Sequence, residues 1–130
     1  MTAIDTNVLV RAITNDDRAQ AARAATFLRK QESVFVPKTV LLELVWVLRN
    51  AYRTDGNAIV SALRNILDVL NVEVEDEAAV RQAIEWYQKG IDFADGLHVA
   101  SSGNERKFAT FDNSLRSKLR RFQLSELTEI

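Results

Sequence analysis

The stretch Ser33-Val34-Phe35-Val36-Pro37-Lys38-Thr39-Val40-Leu41-Leu42-Glu43-Leu44-Val45-Trp46-Val47-Leu48 decides the fold class. Val34-Phe35-Val36 is a β-branched and aromatic run too short for a helix, so a brief strand is predicted, ended by Pro37. Thr39 is then placed to cap a helix that runs to about Tyr52. Its apolar residues go nearly all round, and such a helix is buried in a core or in a subunit interface. Glu43 is the one charge within that run.

Strand followed by helix recurs on both sides of this stretch. Upstream, Met1 to Asp5 reads as a short strand, and Thr6 or Asn7 can cap a helix through about Thr14. Asn15-Asp16-Asp17 starts a second helix to about Lys30, with Ala21, Ala24, Ala25 and Leu28 at helical spacing. Downstream, Asp55-Gly56 breaks the chain before a fourth helix to about Leu70. Val72-Glu73-Val74 is a strand, and Asp76 to Lys89 a fifth helix that Gly90 stops. Ile91-Asp92-Phe93-Ala94-Asp95-Gly96-Leu97-His98 opens a sixth helix to about Asn104. Lys107 to Phe111 is expected to form a fourth strand with Asp112 directly after it. A short helix holding Leu115 and Leu119 follows, then a last strand from Phe122 to Leu124. Short strands alternating with helices imply a parallel sheet covered on both faces, the α/β class. In such sheets the functional site lies beyond the carboxyl ends of the strands, at a switch in strand order. Asp5 and Asp112 are expected there.

Composition excludes several classes. The 130 residues are 47% apolar and 27% charged, ordinary for a globular domain, and the net charge is −1. Setting aside Asp5, Glu43, Asp95 and Asp112 leaves 14 acidic against 17 basic side chains. An acidic centre in a mildly basic surround suits a metal that must meet phosphate. No cysteine is present, so disulfides and thiolate metal sites are excluded. No basic segment precedes an apolar one at the start, and no apolar run approaches a membrane span. The expectation is a cytoplasmic protein without membrane association.

The acids carry the chemistry. Asp92 and Asp95, three apart, are neighbours on one helix face, where like charges repel slightly. Asp92 is either an N-cap with Asp95 in the first turn, or part of something larger. Asp5, Glu43 and Asp112 each stand beside apolar residues near an element end or a buried face. Several carboxylates at one point repel unless a cation joins them, and oxygen-only ligands suit hard cations such as Mg²⁺ or Mn²⁺. His98 is the only histidine, so two-histidine nuclease chemistry and a multi-histidine zinc site are excluded.

The residues Ala3-Ile4-Asp5-Thr6-Asn7-Val8-Leu9, Glu43 in the third helix, Asp92-Phe93-Ala94-Asp95-Gly96-Leu97-His98 and Ala109-Thr110-Phe111-Asp112 together resemble the PIN domain. More narrowly, they resemble the VapC-type toxins of type II toxin–antitoxin pairs. The resemblance covers essentially the whole chain. It implies a single PIN-like domain over residues 1–130, a three-layer α/β/α sandwich with a short, mainly parallel sheet. It also implies a Mg²⁺- or Mn²⁺-dependent endoribonuclease, usually a homodimer, held inactive by a VapB-like antitoxin. RNA is then hydrolysed by a metal-activated water, leaving a 5′-phosphate and a 3′-hydroxyl. Asp5, Glu43, Asp95 and Asp112 match the family's catalytic, metal-binding acids, and Asp92 is a further ligand or a plain cap. Thr6, Asn7 and Thr110 match supporting positions. Lys38, Arg49 and Arg53 flank the helix of Glu43, and Arg116 and Lys118 lie in a basic run after Asp112. These five are candidates for contact with RNA phosphates.

Two other readings compete. Ile4-Asp5-Thr6-Asn7 loosely resembles the nucleophile motif of haloacid-dehalogenase-type phosphatases, but Asn7 stands where the second Asp is required. A phospho-receiver signalling module also has an acidic Mg²⁺ pocket. It needs an acid pair after the first strand and an Asp ending the third, for which Val72-Glu73-Val74-Glu75 is a poor substitute.

Overall fold

A computed structural model describes residues 1–130. The chain divides into two units, Met1–Glu77 and Ala78–Ile130.

The first unit holds a parallel sheet of β1 (Thr2–Ala3), β2 (Val34–Val36) and β3 (Val72–Val74), in that order. Thr2 pairs with Val34, and Val34 and Val36 pair with Val72 and Val74. Val34 and Val36 on the middle strand are fully buried, as apolar residues covered on both sides of a parallel sheet should be. Helices α1 (Thr6–Thr14), α2 (Arg18–Lys30), α3 (Lys38–Asn50) and α4 (Gly56–Asp68) complete the unit. Helix α1 packs on α2 and α3, α3 on α4, and α4 on β3. Leu41, Leu44, Val45 and Leu48 of α3 and Ile59 and Leu63 of α4 are buried. The α/β class and the parallel sheet are therefore as the sequence predicts.

The second unit holds α5 (Glu77–Gln88) from its second residue on, α6 (Phe93–Ser102), α7 (Asn113–Phe122), the segments joining them and the chain's last residues. Trp86, Ile91, Val99, Leu115 and Leu119 form its core, with Phe108, Phe122 and Leu127 packed against them. Gly90, at φ 96°, closes α5: its N–H donates to the carbonyl of Tyr87, and the N–H of Ile91 to that of Trp86. No helix is long and apolar enough to cross a membrane.

Four local expectations are corrected. Residues 107–111 are not a fourth strand. Phe108 makes one isolated parallel bridge, to Leu127, because only its ring enters the core while Ala109 and Phe111 face water. The three-stranded ladder consequently shows no switch in strand order. Phe122–Leu124 is a helix end, not a strand: Leu115, Leu119 and Phe122 share one helix face, and Gln123 then turns left-handed. Thr39 does not cap α3. Pro37 stands at the N-cap, and the first free N–H, of Lys38, donates to the Glu75 carboxylate at 3.0 Å. The cap of α1 is neither Thr6 nor Asn7 but Asp5. The first strand ends at Ala3, and the Ile4 N–H carries one more bond to Phe35 before the helix begins.

Candidate active site

In the first unit, the turn from β1 into α1 puts Asp5 just past the strand's carboxyl end. Its backbone is extended (φ −93°, ψ 176°), and its Oδ1 accepts the N–H of Val8 at 3.4 Å. One carboxylate oxygen thus serves the helix, in a bond long enough to be weak. Thr6 is buried, the one buried polar residue of the chain. Its hydroxyl donates to Oε1 of Glu43, which links α1 to α3. A hydrogen bond to a carboxylate is stronger than a neutral one, so Thr6 holds Glu43 in place. Glu43 itself does not lie on the buried face of α3: it is exposed, one residue before fully buried Leu44. Asn7 is exposed beside Asp5.

In the second unit, Asp92 caps α6 and accepts the N–H of Asp95 at 3.2 Å. Asp112 caps α7 and accepts the N–H of Leu115 at 3.0 Å, while the Thr110 hydroxyl accepts the N–H of Asp112 at 3.0 Å. The carboxyl of Asp95 is pushed above its ordinary range, first by burial, then by the charges of Asp92 and Asp112. His98 and Lys118 oppose this less strongly. Asp95 also lies in a first helical turn, where the helix dipole favours its charge. The upward direction means that desolvation and like charge outweigh that benefit.

The basic candidates are unequal. Lys38 Nζ is paired with Asp76 at 2.9 Å. The Arg116 guanidinium is nearly covered and bonds Glu129 at 2.9 Å and the Thr110 carbonyl at 3.3 Å. Lys118 Nζ donates to the carbonyl of Gly90 at 2.7 Å. Arg49 and Arg53 are exposed, Arg53 with a left-handed backbone (φ 51°).

The donor set fits a hard divalent cation in chemistry: oxygen ligands only, with Asp95 among like charges that a cation would relieve. No unit by itself gathers three acidic side chains into ligating reach. Asp5 and Glu43 stand in the first unit, and Asp92, Asp95 and Asp112 in the second, where Asp92 and Asp112 cap helices.

The cap geometry makes a testable distinction for Asp92. Asp92→Ala should lower stability by about 1 kcal/mol, and Asp92→Asn should leave it nearly unchanged, since Asn caps as well as Asp. If Asp92 is only a cap, divalent-cation binding by Asp92→Asn equals that of the wild type. A loss of cation binding at unchanged melting temperature would assign it a part in the site.

Beside Asp5 lies a feature not recognised in the sequence, a cleft of about 430 Å³ lined by Asn7 and Arg11 of α1 and by Gln20, Arg23 and Phe27 of α2. Its signal was present: residues 20, 23 and 27 share one face of a helix.

Among proteins of known kind, the chain is similar to one named VapC ribonuclease from Aquifex aeolicus (strain VF5). The two are 29% identical over 92 residues, which cover 68% of each chain. Residues 2–119 match the model of the PIN domain. That span takes in β1, the Asp5 turn, α3, the Asp95 helix and the Asp112 cap, so the chain belongs to the PIN domain family.

Proposed function

We propose that this protein is a metal-dependent endoribonuclease and acts as the toxin of a toxin–antitoxin pair. The observation that carries the reading is the gathering of acids at the starts of α6 and α7, where burial and the charges of Asp92 and Asp112 push the carboxyl of Asp95 up. Family membership and the similar VapC ribonuclease support the same chemistry. Asp5, Glu43, Asp95 and Asp112 would hold Mg²⁺ or Mn²⁺ in one PIN-like domain spanning residues 1–130. A bound ion would supply Lewis-acid activation of water and neutralise charge on the scissile phosphate. The chain's own residues do the rest: Thr6 orients Glu43, Thr110 fixes the backbone of Asp112, and Asn7 stands ready to contact water or substrate. Arg49, Arg53, Lys118, Arg116 and Lys38 would approach the RNA backbone. Arg49 and Arg53 are exposed at the surface, and Lys38, Arg116 and Lys118 also hold protein partners. The protein works in the cytoplasm, where a VapB-like antitoxin neutralises it.

Purified protein incubated with single-stranded RNA tests this. Cleavage in Mg²⁺ or Mn²⁺, its loss with chelator, and 5′-phosphate ends are expected. Cleavage that persists in chelator refutes the metal, and no cleavage under either condition refutes the nuclease.

A homodimer is part of the same proposal. Trp46 on α3 is 64% exposed amid an apolar helix, and a second copy of the chain would cover it. Light scattering at micromolar concentration should give twice the monomer mass, and Trp46→Lys should reduce it. A monomer throughout would end the dimer proposal.

A further inference from the structure

The cleft between α1 and α2 opens beside Asp5, the acid with which the proposed nuclease begins. It is an open surface cleft of about 430 Å³, wide enough to take one base against its wall. Three kinds of group meet there. Phe27 shows an aromatic ring that is 37% exposed, unusual for a residue with an apolar core nearby. Two guanidinium groups flank it, but they are not equivalent. Arg11 is bound to Asp16 at 3.1 Å, and Asp16 also accepts the hydroxyls of Tyr52 and Thr14. Arg23 is exposed and enters no ion pair, so its charge is open to an anion from outside. Asn7 and Gln20 add two side-chain amides, each with donors and an acceptor.

An aromatic face, a free guanidinium and two amides are the groups with which proteins hold an unpaired nucleotide. The ring stacks on the base, the cation meets a phosphate, and the amides read the base edge. Asp5 also lines the cleft, so a base seated there keeps its backbone close to the proposed metal-binding acid. We propose that this cleft seats the base of the nucleotide next to the scissile phosphate, stacked on Phe27, with Arg23 on its phosphate and Gln20 and Asn7 reading its edge. The inference rests on the nuclease reading and makes the cleft its specificity pocket.

Steady-state cleavage of short single-stranded RNAs that differ in the base beside the cut tests it. Phe27→Leu keeps apolar bulk and removes the ring. It should raise KM about tenfold with kcat within about twofold, the usual effect of losing one stacked base. Phe27→Tyr should restore KM. Arg23→Gln should reduce the salt dependence of log KM by about one unit of slope. Gln20→Ala should weaken the preference among the four bases. Melting temperatures near the wild-type value confirm that the variants fold, which the exposure of all three side chains favours. If the wild type cuts RNA but Phe27→Leu and Arg23→Gln keep its KM and base preference, the pocket is overturned and the nuclease stands. The same holds if those variants cut RNA normally but lose the antitoxin, since the cleft then docks protein. If the wild type cuts no RNA, both proposals fall.

Discussion

Asp5→Asn is expected to cut RNA at least about 10²–10³-fold more slowly than the wild type while keeping its melting temperature, the scale of losing one preorganised charge-stabilising group. The structure makes this substitution cleaner than most. Asp5 is the N-cap of α1 through Oδ1, and Asn caps a helix as well as Asp does. The amide oxygen can take over the bond to the Val8 N–H, so helix and fold remain. Only the negative charge goes, and with it the affinity for a hard cation. Asp5→Ala removes both and should cost about 1 kcal/mol of stability besides. Asp112→Asn follows the same logic at α7, where Oδ1 accepts the Leu115 N–H. Initial rates on a labelled RNA with thermal melts of the same samples decide the matter. If Asp5→Asn cuts at the wild-type rate, Asp5 is only a cap and the proposed metal site loses its first ligand.

Mn²⁺ at about a hundred times its Kd should stabilise the wild type by about 2.7 kcal/mol, because it binds the folded chain alone. For a chain of this length that raises the melting temperature by about 10 °C. Asp95→Asn should show a much smaller rise. Without metal, the same variant should be more stable than the wild type by about 0.5–1 kcal/mol. Its partial exposure puts it at the low end of what relief of a functional-site conflict gives. The pH dependence has a defined sign. Asp95 has its folded pKa raised, so the folded state holds this proton more tightly than the unfolded state. The penalty on the wild type is absent below the unfolded pKa, about 3.9, and grows as pH rises to the folded value. Above that it is fully present. The advantage of Asp95→Asn should therefore be seen at neutral pH and close as pH falls through that window. Melting curves of both proteins, with chelator and with Mn²⁺, at several pH values measure all of this. A metal that shifts neither curve, with a neutral or destabilising substitution, would leave Asp95 an ordinary first-turn acid.

Much of this protein is written locally. Val34-Phe35-Val36 is a strand and the Leu-rich run after Pro37 a helix because side-chain period and proline geometry act within a few residues. The same holds for Gly90, whose left-handed backbone ends α5, and for the α/β alternation that follows from such pieces. The acids Asp5, Glu43, Asp92, Asp95 and Asp112 were visible for the same reason, as charges in apolar or capping contexts. The tertiary structure decided what depends on partners distant in sequence. Residues 107–111 have a strand's composition but found only Leu127, so no fourth strand joined the ladder. Glu43 looked buried from its apolar neighbours, yet it is exposed and held by Thr6, 37 residues away. Asp95 differs from other first-turn acids because the folded chain buries it and α7 brings Asp112 to it, beside the charge of Asp92. The cleft beside Asp5 exists only because α2 packs on α1. Short-range sterics and hydrogen bonds set elements and caps, whereas burial and Coulomb interaction depend on what the folded chain brings close, which no window of sequence contains.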